Sequence, residues 1–428
     1  VRHTTIPTAA RRVGPVLGFL ALLLAAGACS SPAVTTTTTA TPPPSSTSTT
    51  AAATTTAPTT VAAPSTTAAP KDTGMPGLVG HDHTGVTVRD VREAERWFRR
   101  ILGCRVVLRS GPVYDDHFTL MRDFLGVDPR AVIDEVSMLR CGNGSNVDLF
   151  QYEAPDQDTT NPKLSDYGGH HLAFYVEDLD AAVAYLDTKG VDRLLGPYAV
   201  TDGPAAGRRI GYVRTPWGDY VELVSYPDGM VYEATSDVRP WSPKDHPPAE
   251  SSGGVPGMLG QDHTGITVPD LAAAEGWFTH VLGCRVAFRS GPLRDDEGTF
   301  MHDLLDVDPR AVVDGISMLR CGTGSGIEVS QYEAPDQDTT NPKLSDYGGH
   351  YLAFYVEDID AAVAYLDTKG VDRFLGPLPI ADGPTAGESS IVLRAPWGDY
   401  LQLISYPDGM AYEADARVRL WDPTTPDE

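Results

Sequence analysis

One repeat constrains this chain more than any other feature. Residues 75–243 align with 255–423 at a constant offset of 180, without a gap, and Gln151–His170 is identical to Gln331–His350. Whatever one copy folds into, the other must fold into as well. A shorter pattern occurs twice within each copy. His83-Thr-Gly-Val-Thr-Val-Arg-Asp90 and His171-Leu-Ala-Phe-Tyr-Val-Glu-Asp178 each alternate like a half-buried strand, then place an Asp where a helix can begin. A third occurrence starts at His263. A fourth starts at Tyr351, where the His is lost.

The rest of each copy can be read from periodicity. In the first half, Val91, Ala94, Trp97, Phe98 and Ile101 put an apolar stripe on a helix over Val91–Leu102, and Asp90 with Glu93 resembles a capping box. Strands are predicted at Arg105–Arg109, Glu135–Arg140 and Asn146–Tyr152, with a helical insertion near Phe118–Leu125. The second half predicts a strand at His171–Val176, a helix at Leu179–Lys189, and strands near Leu194–Val200, Ile210–Arg214 and Tyr220–Ser225. Each half is therefore βαβββ, the chain carries four such units, and the fold class is α+β. Lys244–Gly254, rich in Pro, Ser and Gly, reads as the linker between copies.

These motifs, with Pro216-Trp-Gly-Asp-Tyr-Val-Glu222-Leu, resemble the vicinal oxygen chelate superfamily, which includes glyoxalase I, methylmalonyl-CoA epimerase, bleomycin resistance proteins and extradiol dioxygenases. The resemblance implies two tandem domains, 75–243 and 255–423, each of two βαβββ units forming a cupped mixed sheet. It also implies a metal held by residues from the first and last strand of each unit. Those positions are His83, Asp148, His171 and Glu222 in the first copy. Strand parity agrees. Asp148 shares a face with Phe150 and Tyr152, opposite Val147 and Leu149, and Glu222 shares a face with Tyr220 and Val224, opposite Val221 and Leu223. Two imidazoles and two carboxylates suit one divalent ion of the Zn, Ni, Co, Mn or Fe kind. His170 has the opposite parity and reads as a support behind the ligands or as structural.

The second copy has His263, Glu328, Tyr351 and Gln402 at the same positions, a degenerate set. The family pairs its units either within a copy or exchanged between copies. The short link Tyr152–Gly168 favours pairing within a copy, which makes His83, Asp148, His171 and Glu222 the complete site. Exchange would instead complete His263, Glu328, His171 and Glu222. His171 and Glu222 belong to either set.

As to chemistry, the resemblance implies a metal-dependent isomerase, epimerase or lyase acting on a small oxygen-chelating substrate. Glu222 would be base and ligand, Asp148 its opposite number, and Phe150, Tyr152, Tyr175, Tyr212 and Arg214 would line the cup. Two alternatives stay open. A binding protein of the bleomycin-resistance type would sequester a small molecule. An extradiol dioxygenase would use His83, His171 and Glu222 with iron, although the His expected before Tyr212 is missing from Gly203–Arg209.

The N-terminal region reads as targeting rather than fold. Arg2, Arg11 and Arg12 precede an apolar run over Val16–Ala26 that is short for a membrane span, and small residues lead to Cys29. This resembles the lipobox of bacterial lipoproteins. It implies a leader over 1–29, a lipidated Cys29, and a protein exported and anchored to the outer face of the membrane. Residues 30–74, nearly all Thr, Ala, Pro and Ser, then form a stalk without core-forming pattern. A net charge of −25 argues against nucleic acid as a partner, and a tandem pseudo-dimer is complete as a monomer. In the family's strand order Cys104 and Cys141 are neighbours, as are Cys284 and Cys321. Export would favour two disulfides, the alternative being buried free thiols.

Overall fold

The computed structural model describes residues 74–115, 119–248, 253–295 and 300–427. The leader, Cys29 and the stalk up to residue 73 lie outside them. Among the described residues no helix is long and apolar enough to cross a membrane.

The first copy supplies β1 (Leu78–Thr87), β2 (Arg105–Ser110), β3 (Val132–Arg140), β4 (Asn146–Glu153), β5 (His170–Val176), β6 (Arg209–Arg214) and β7 (Tyr220–Ser225). The second supplies β8 (Met258–Thr267), β9 (Arg285–Ser290), β10 (Val312–Arg320), β11 (Gly326–Glu333), β12 (His350–Val356), β13 (Ser389–Arg394) and β14 (Tyr400–Ser405). The helix over Leu179–Lys189 has the predicted bounds. Asp178 caps it by accepting from the N–H groups of Asp180 and Ala181, and Gly190 ends it in the left-handed region at φ 66°. Asp90 likewise accepts from the Glu93 N–H. Glu93 does not complete a capping box, because its carboxylate takes two hydrogen bonds from Arg89 instead. The helix starting at Val91 is α only to Trp97 and then widens into a π-helical turn over Phe98–Leu102. The strand predicted over 194–200 is broken into two-residue pieces at Asp192–Arg193 and Tyr198–Ala199. Pro197 between them has no N–H to give a ladder.

Two curled mixed sheets result. One runs Asp372–Arg373, β13, β14, β12, β1, β4, β3, β2, and the other runs β9, β10, β11, β8, β5, β7, β6, Asp192–Arg193. Each cup therefore joins the first half of one copy to the second half of the other. β1 pairs antiparallel with β12, and β8 with β5. The fold class is the expected one, but the pairing within a copy is corrected to an exchange between copies.

The short link does not enforce pairing within a copy, for a physical reason. The two halves of one copy are indeed neighbours, but through their helix-bearing faces. One core holds Val91, Ala94, Phe98 and Ile101 together with Phe174, Leu179, Ala182 and Leu186, all from the first copy. Trp97 meets Trp217 edge-on at 5.7 Å. A short link suffices for this back-to-back contact, which leaves the sheet edges free to pair with the other copy. The two links also bond each other reciprocally. The Tyr167 N–H donates to the Asp338 carbonyl at 2.9 Å, and the Tyr347 N–H donates to the Asp158 carbonyl at 2.9 Å.

Both disulfides are present, Cys104–Cys141 and Cys284–Cys321. Each closes a loop with a sequence separation of 37, so the chain-entropy relation gives roughly 4 kcal/mol apiece. Titration of the denatured, unreduced protein should find no free thiol at these four positions. The double variant Cys104→Ser, Cys141→Ser should unfold at lower denaturant by an amount of that order, and four free thiols would contradict the bridges.

A second prediction concerns His350, which stacks on His170 with ring centroids 4.5 Å apart. Burial lowers the His350 pKa from 6.5 to about 4. Between those values the unfolded chain binds a proton that the folded chain refuses. The stability that His350 allows is complete above pH 6.5 and is lost as pH falls toward 4. Relative to a His350→Phe variant, the wild type should lose roughly 3 kcal/mol over that window. Denaturant unfolding of the two proteins at pH 7 and pH 4 checks this, and a pH-independent difference would contradict it.

Candidate metal centre

The seam between β8 and β5 sets Gly265 opposite His171 and His263 opposite Ala173. Gly265 is required by close approach. A Cβ there would lie 1.9 Å from Cε1 of His171, so only a glycine lets the ring lie across the neighbouring strand. The parallel partners bring in the last strands of each unit, β11 with Glu328 beside Gly265 and β7 with Glu222 beside Ala173.

Side chains converge in this first cup. His171 Nε2 and His263 Nε2 face each other at 3.3 Å. Glu222 Oε2 lies 3.3 Å from the former and 3.1 Å from the latter. Glu328 stands farther back, 3.9 Å from His171 Nε2 and 3.7 Å from His263 Nε2. The His263 ring is oriented from behind, its Nδ1 2.8 Å from Asp262 Oδ1, while Asp262 also accepts from the Tyr226 hydroxyl. That leaves Nε2 as the atom turned to the cup.

Arg208 is the residue the sequence reading missed. Its Nη2 donates to Glu222 Oε1 at 2.6 Å and its Nη1 to Glu328 Oε2 at 3.3 Å, and Nη2 comes within 3.4 Å of His263 Nε2. It sits just before β6, two turns of the pleat from Tyr212, whose ring meets His171 edge-on at 5.4 Å. Arg208 and Tyr212 share strand parity, so the position was within reach of the face argument.

Burial dominates the electrostatics. Glu222 and His263 are fully buried, and none of the five groups is more than 8% exposed. Burial opposes charge on Glu222, yet the Arg208 guanidinium and the two imidazoles hold its carboxyl well below the usual range. Burial also opposes charge on His263, but Asp262, Glu222 and Glu328 outweigh it and hold the ring up at about 9. Burial keeps the Tyr212 phenol well above its ordinary value.

These residues fit a divalent ion. His171, Glu222 and His263 each offer a donor atom within 4.8 Å of the others, the one such group among the described residues. Glu222 Oε2 is buried and makes no aligned hydrogen bond, its neighbours being the two imidazole nitrogens at 3.3 and 3.1 Å. A buried carboxylate oxygen without an aligned donor is costly unless a cation serves it. Glu222 thus divides its work, one oxygen for Arg208 and the other open toward both imidazoles.

The second cup brings together His83, Asp148, Tyr351 and Gln402. Tyr351 Oη lies 3.2 Å from His83 Nε2 and donates to Asp148 Oδ2 at 3.1 Å. Gly85 allows the phenol ring to lie across β1, as Gly265 does for His171. Glu388 stands where the first cup has Arg208. Burial pushes Asp148 up to about 6 and Glu388 up to about 7.

The set His83, Asp148, His171 and Glu222 is therefore split between two sheets, because the halves exchange. Of the residues expected to line its cup, Tyr212 is beside His171, whereas Phe150 and Tyr152 belong to the second cup, where Phe150 meets Tyr351 at 5.9 Å. Tyr175 lies on the same face of β5 as His171 but farther along the strand, buried edge-on against Tyr226 at 4.9 Å with Ala173 and Val224. Arg214 turns away to pair with Asp306 over the Tyr220 ring.

Known proteins resemble this chain at two levels. The 2-epi-5-epi-valiolone epimerase of an Actinomyces species is 41% identical over 172 residues, covering 40% of this chain and 92% of that protein. Glyoxalase I from Zea mays is 14% identical, with a TM-score of 0.45 over 77% of this chain and 93% of its own. Residues 82–212 and 262–388 both match the Glyoxalase/Bleomycin resistance protein/Dioxygenase superfamily. With a match in both copies spanning more than half its length, the chain belongs to that superfamily.

Proposed function

We propose that the first cup is the metal centre of an epimerase that exchanges a proton at a carbon next to a carbonyl in a small polyhydroxylated ketone. The observation that carries this reading is the convergence of His171, His263 and Glu222 on one point, with Glu222 Oε2 buried and making no aligned hydrogen bond. The epimerase relative supplies the reaction class. His171, His263 and Glu222 would hold the ion, with Glu328 in reach of the same point. The ion would supply Lewis acidity, which lowers the cost of negative charge on the substrate oxygen beside the exchanged carbon.

The chain's own groups do the rest. Glu328 is the less committed carboxylate and takes the proton from carbon at Oε1, the oxygen that Arg208 does not hold, and a solvent-derived proton is returned to the opposite face of the same carbon. Arg208 keeps Glu222 ionised and places a fixed positive charge against the same cup, where developing negative charge is favoured. The Tyr212 phenol, kept protonated by burial, stands beside His171 as a hydrogen-bond donor to the substrate. Export and lipid anchoring at Cys29 form part of the same proposal, since the Arg-rich start, apolar run and small residues before Cys29 support them.

The test is solvent deuterium exchange into 2-epi-5-epi-valiolone, followed by NMR. Metal-loaded protein should catalyse incorporation at one carbon, and Glu328→Gln should slow it by about two orders of magnitude or more. Absence of incorporation by metal-loaded protein would overturn the epimerase reading.

A further inference from the structure

We infer that the second cup is a binding site for a small organic cation bearing N–H donors, an alkylammonium or guanidinium group. The two cups differ by a linked exchange of charge. Arg208 becomes Glu388, and Glu222 becomes Gln402. In the first cup the Arg208 guanidinium is an internal cation that bridges Glu222 and Glu328. The counterparts of those two acceptors are Gln402 and Asp148. Gln402 Oε1 and Asp148 Oδ1 are both buried without a donor, and Asp148 as a whole is only 5% exposed. The second cup thus keeps the acceptors that a guanidinium bridges, loses the chain's own guanidinium, and adds a third acceptor in its place.

The remaining contacts point the same way. Tyr351 spends its one proton on Asp148 Oδ2, so it leaves Oδ1 unserved. Phe150 replaces Ser330, and its half-buried ring stands edge-on to Tyr351 at 5.9 Å, which gives the cup an aromatic face suited to a cation. Access differs too. Tyr351, Gln402, Glu388 and Phe150 are all partly exposed, whereas the five groups of the first cup are buried. Two carboxylates and an amide oxygen beside an open aromatic wall recognise donors, not anions. The site does not depend on a metal in the first cup.

Methylguanidinium is the probe, titrated calorimetrically into the whole metal-free protein. The expected result is one saturable site per chain that tetramethylammonium, which has no N–H, neither fills nor blocks. Glu388→Gln should weaken binding by about tenfold or more, the loss of one charge-assisted bond. Glu388→Arg should abolish binding while thermal unfolding shows the protein still folded, because it restores the internal cation. Wild-type affinity in both variants would overturn the proposal. So would absence of saturable binding to the wild type, equal binding of tetramethylammonium, or a divalent metal as the one ligand whose binding depends on Asp148.

Discussion

His263→Ala should abolish the divalent-metal binding proposed for the first cup, and His83→Ala should leave it intact. The two histidines occupy the same position in the repeat. They differ in what exchange puts opposite them. His263 faces His171 and Glu222 across the β8–β5 seam, whereas His83 faces Tyr351. Removing one of three converging donors should weaken a divalent ion by well over the ten- to hundredfold expected for an outer-shell change. A second variant tests the same point from the backbone. Gly265→Ala adds a methyl group where the His171 ring lies, 1.9 Å from Cε1, so the ring must leave and metal should go with it. Metal content by elemental analysis of the purified proteins decides the matter. Loss of metal from His83→Ala with retention in His263→Ala would mean that the halves pair within a copy after all.

What the sequence made legible, and what it did not, divides along one line. Anything set by the period of a single strand could be read. Parity put His171 and Glu222 on the face opposite Leu172 and Val221, and the same parity puts them in the cup. The helix over Leu179–Lys189 could be read because its cap and its terminal Gly190 are local. The pairing could not be read from the strands. β5 and β12 carry almost the same residues, His170-His171-Leu-Ala-Phe-Tyr-Val against His350-Tyr351-Leu-Ala-Phe-Tyr-Val, so β1 has no local reason to prefer one over the other.

The discriminating signal lay in the link. Gln151–His170 and Gln331–His350 are identical, and in the structure these segments bond each other reciprocally, Lys163 Nζ reaching Asp336 Oδ2 at 2.8 Å and Lys343 Nζ the Asp156 carbonyl at 3.0 Å. A segment that packs against its own copy must suit itself. Arg208 escaped notice because it lies before its strand begins. Its signal was the paired change to Glu388 and Gln402, which only makes sense if residues 208 and 222 touch.

Arg208→Ala should destabilise the metal-free protein and enlarge the stability gained on metal loading. In the metal-free state the Arg208 guanidinium donates to both Glu222 and Glu328, beside the His263 ring 3.1 Å from Glu222. Both carboxylates are buried, and taking one partner from a buried ion pair costs about 3–5 kcal/mol because the remaining charge loses its compensation. The metal-free variant should therefore unfold at clearly lower denaturant than wild type. A divalent ion supplies the missing charge, and in the variant it no longer shares the cup with a guanidinium 3.4 Å from His263 Nε2. Metal should therefore bind the variant more tightly than the wild type, and the stability gained on loading should exceed the wild-type gain, since a ligand stabilises in proportion to the logarithm of its affinity. Denaturant unfolding of both proteins, with metal and after chelation, measures the four states. If chelated Arg208→Ala matched chelated wild type, or metal stabilised the variant less, Arg208 would be no counter-ion to the two carboxylates, and the division of Glu222 between one oxygen for the arginine and one for the metal would fail with it.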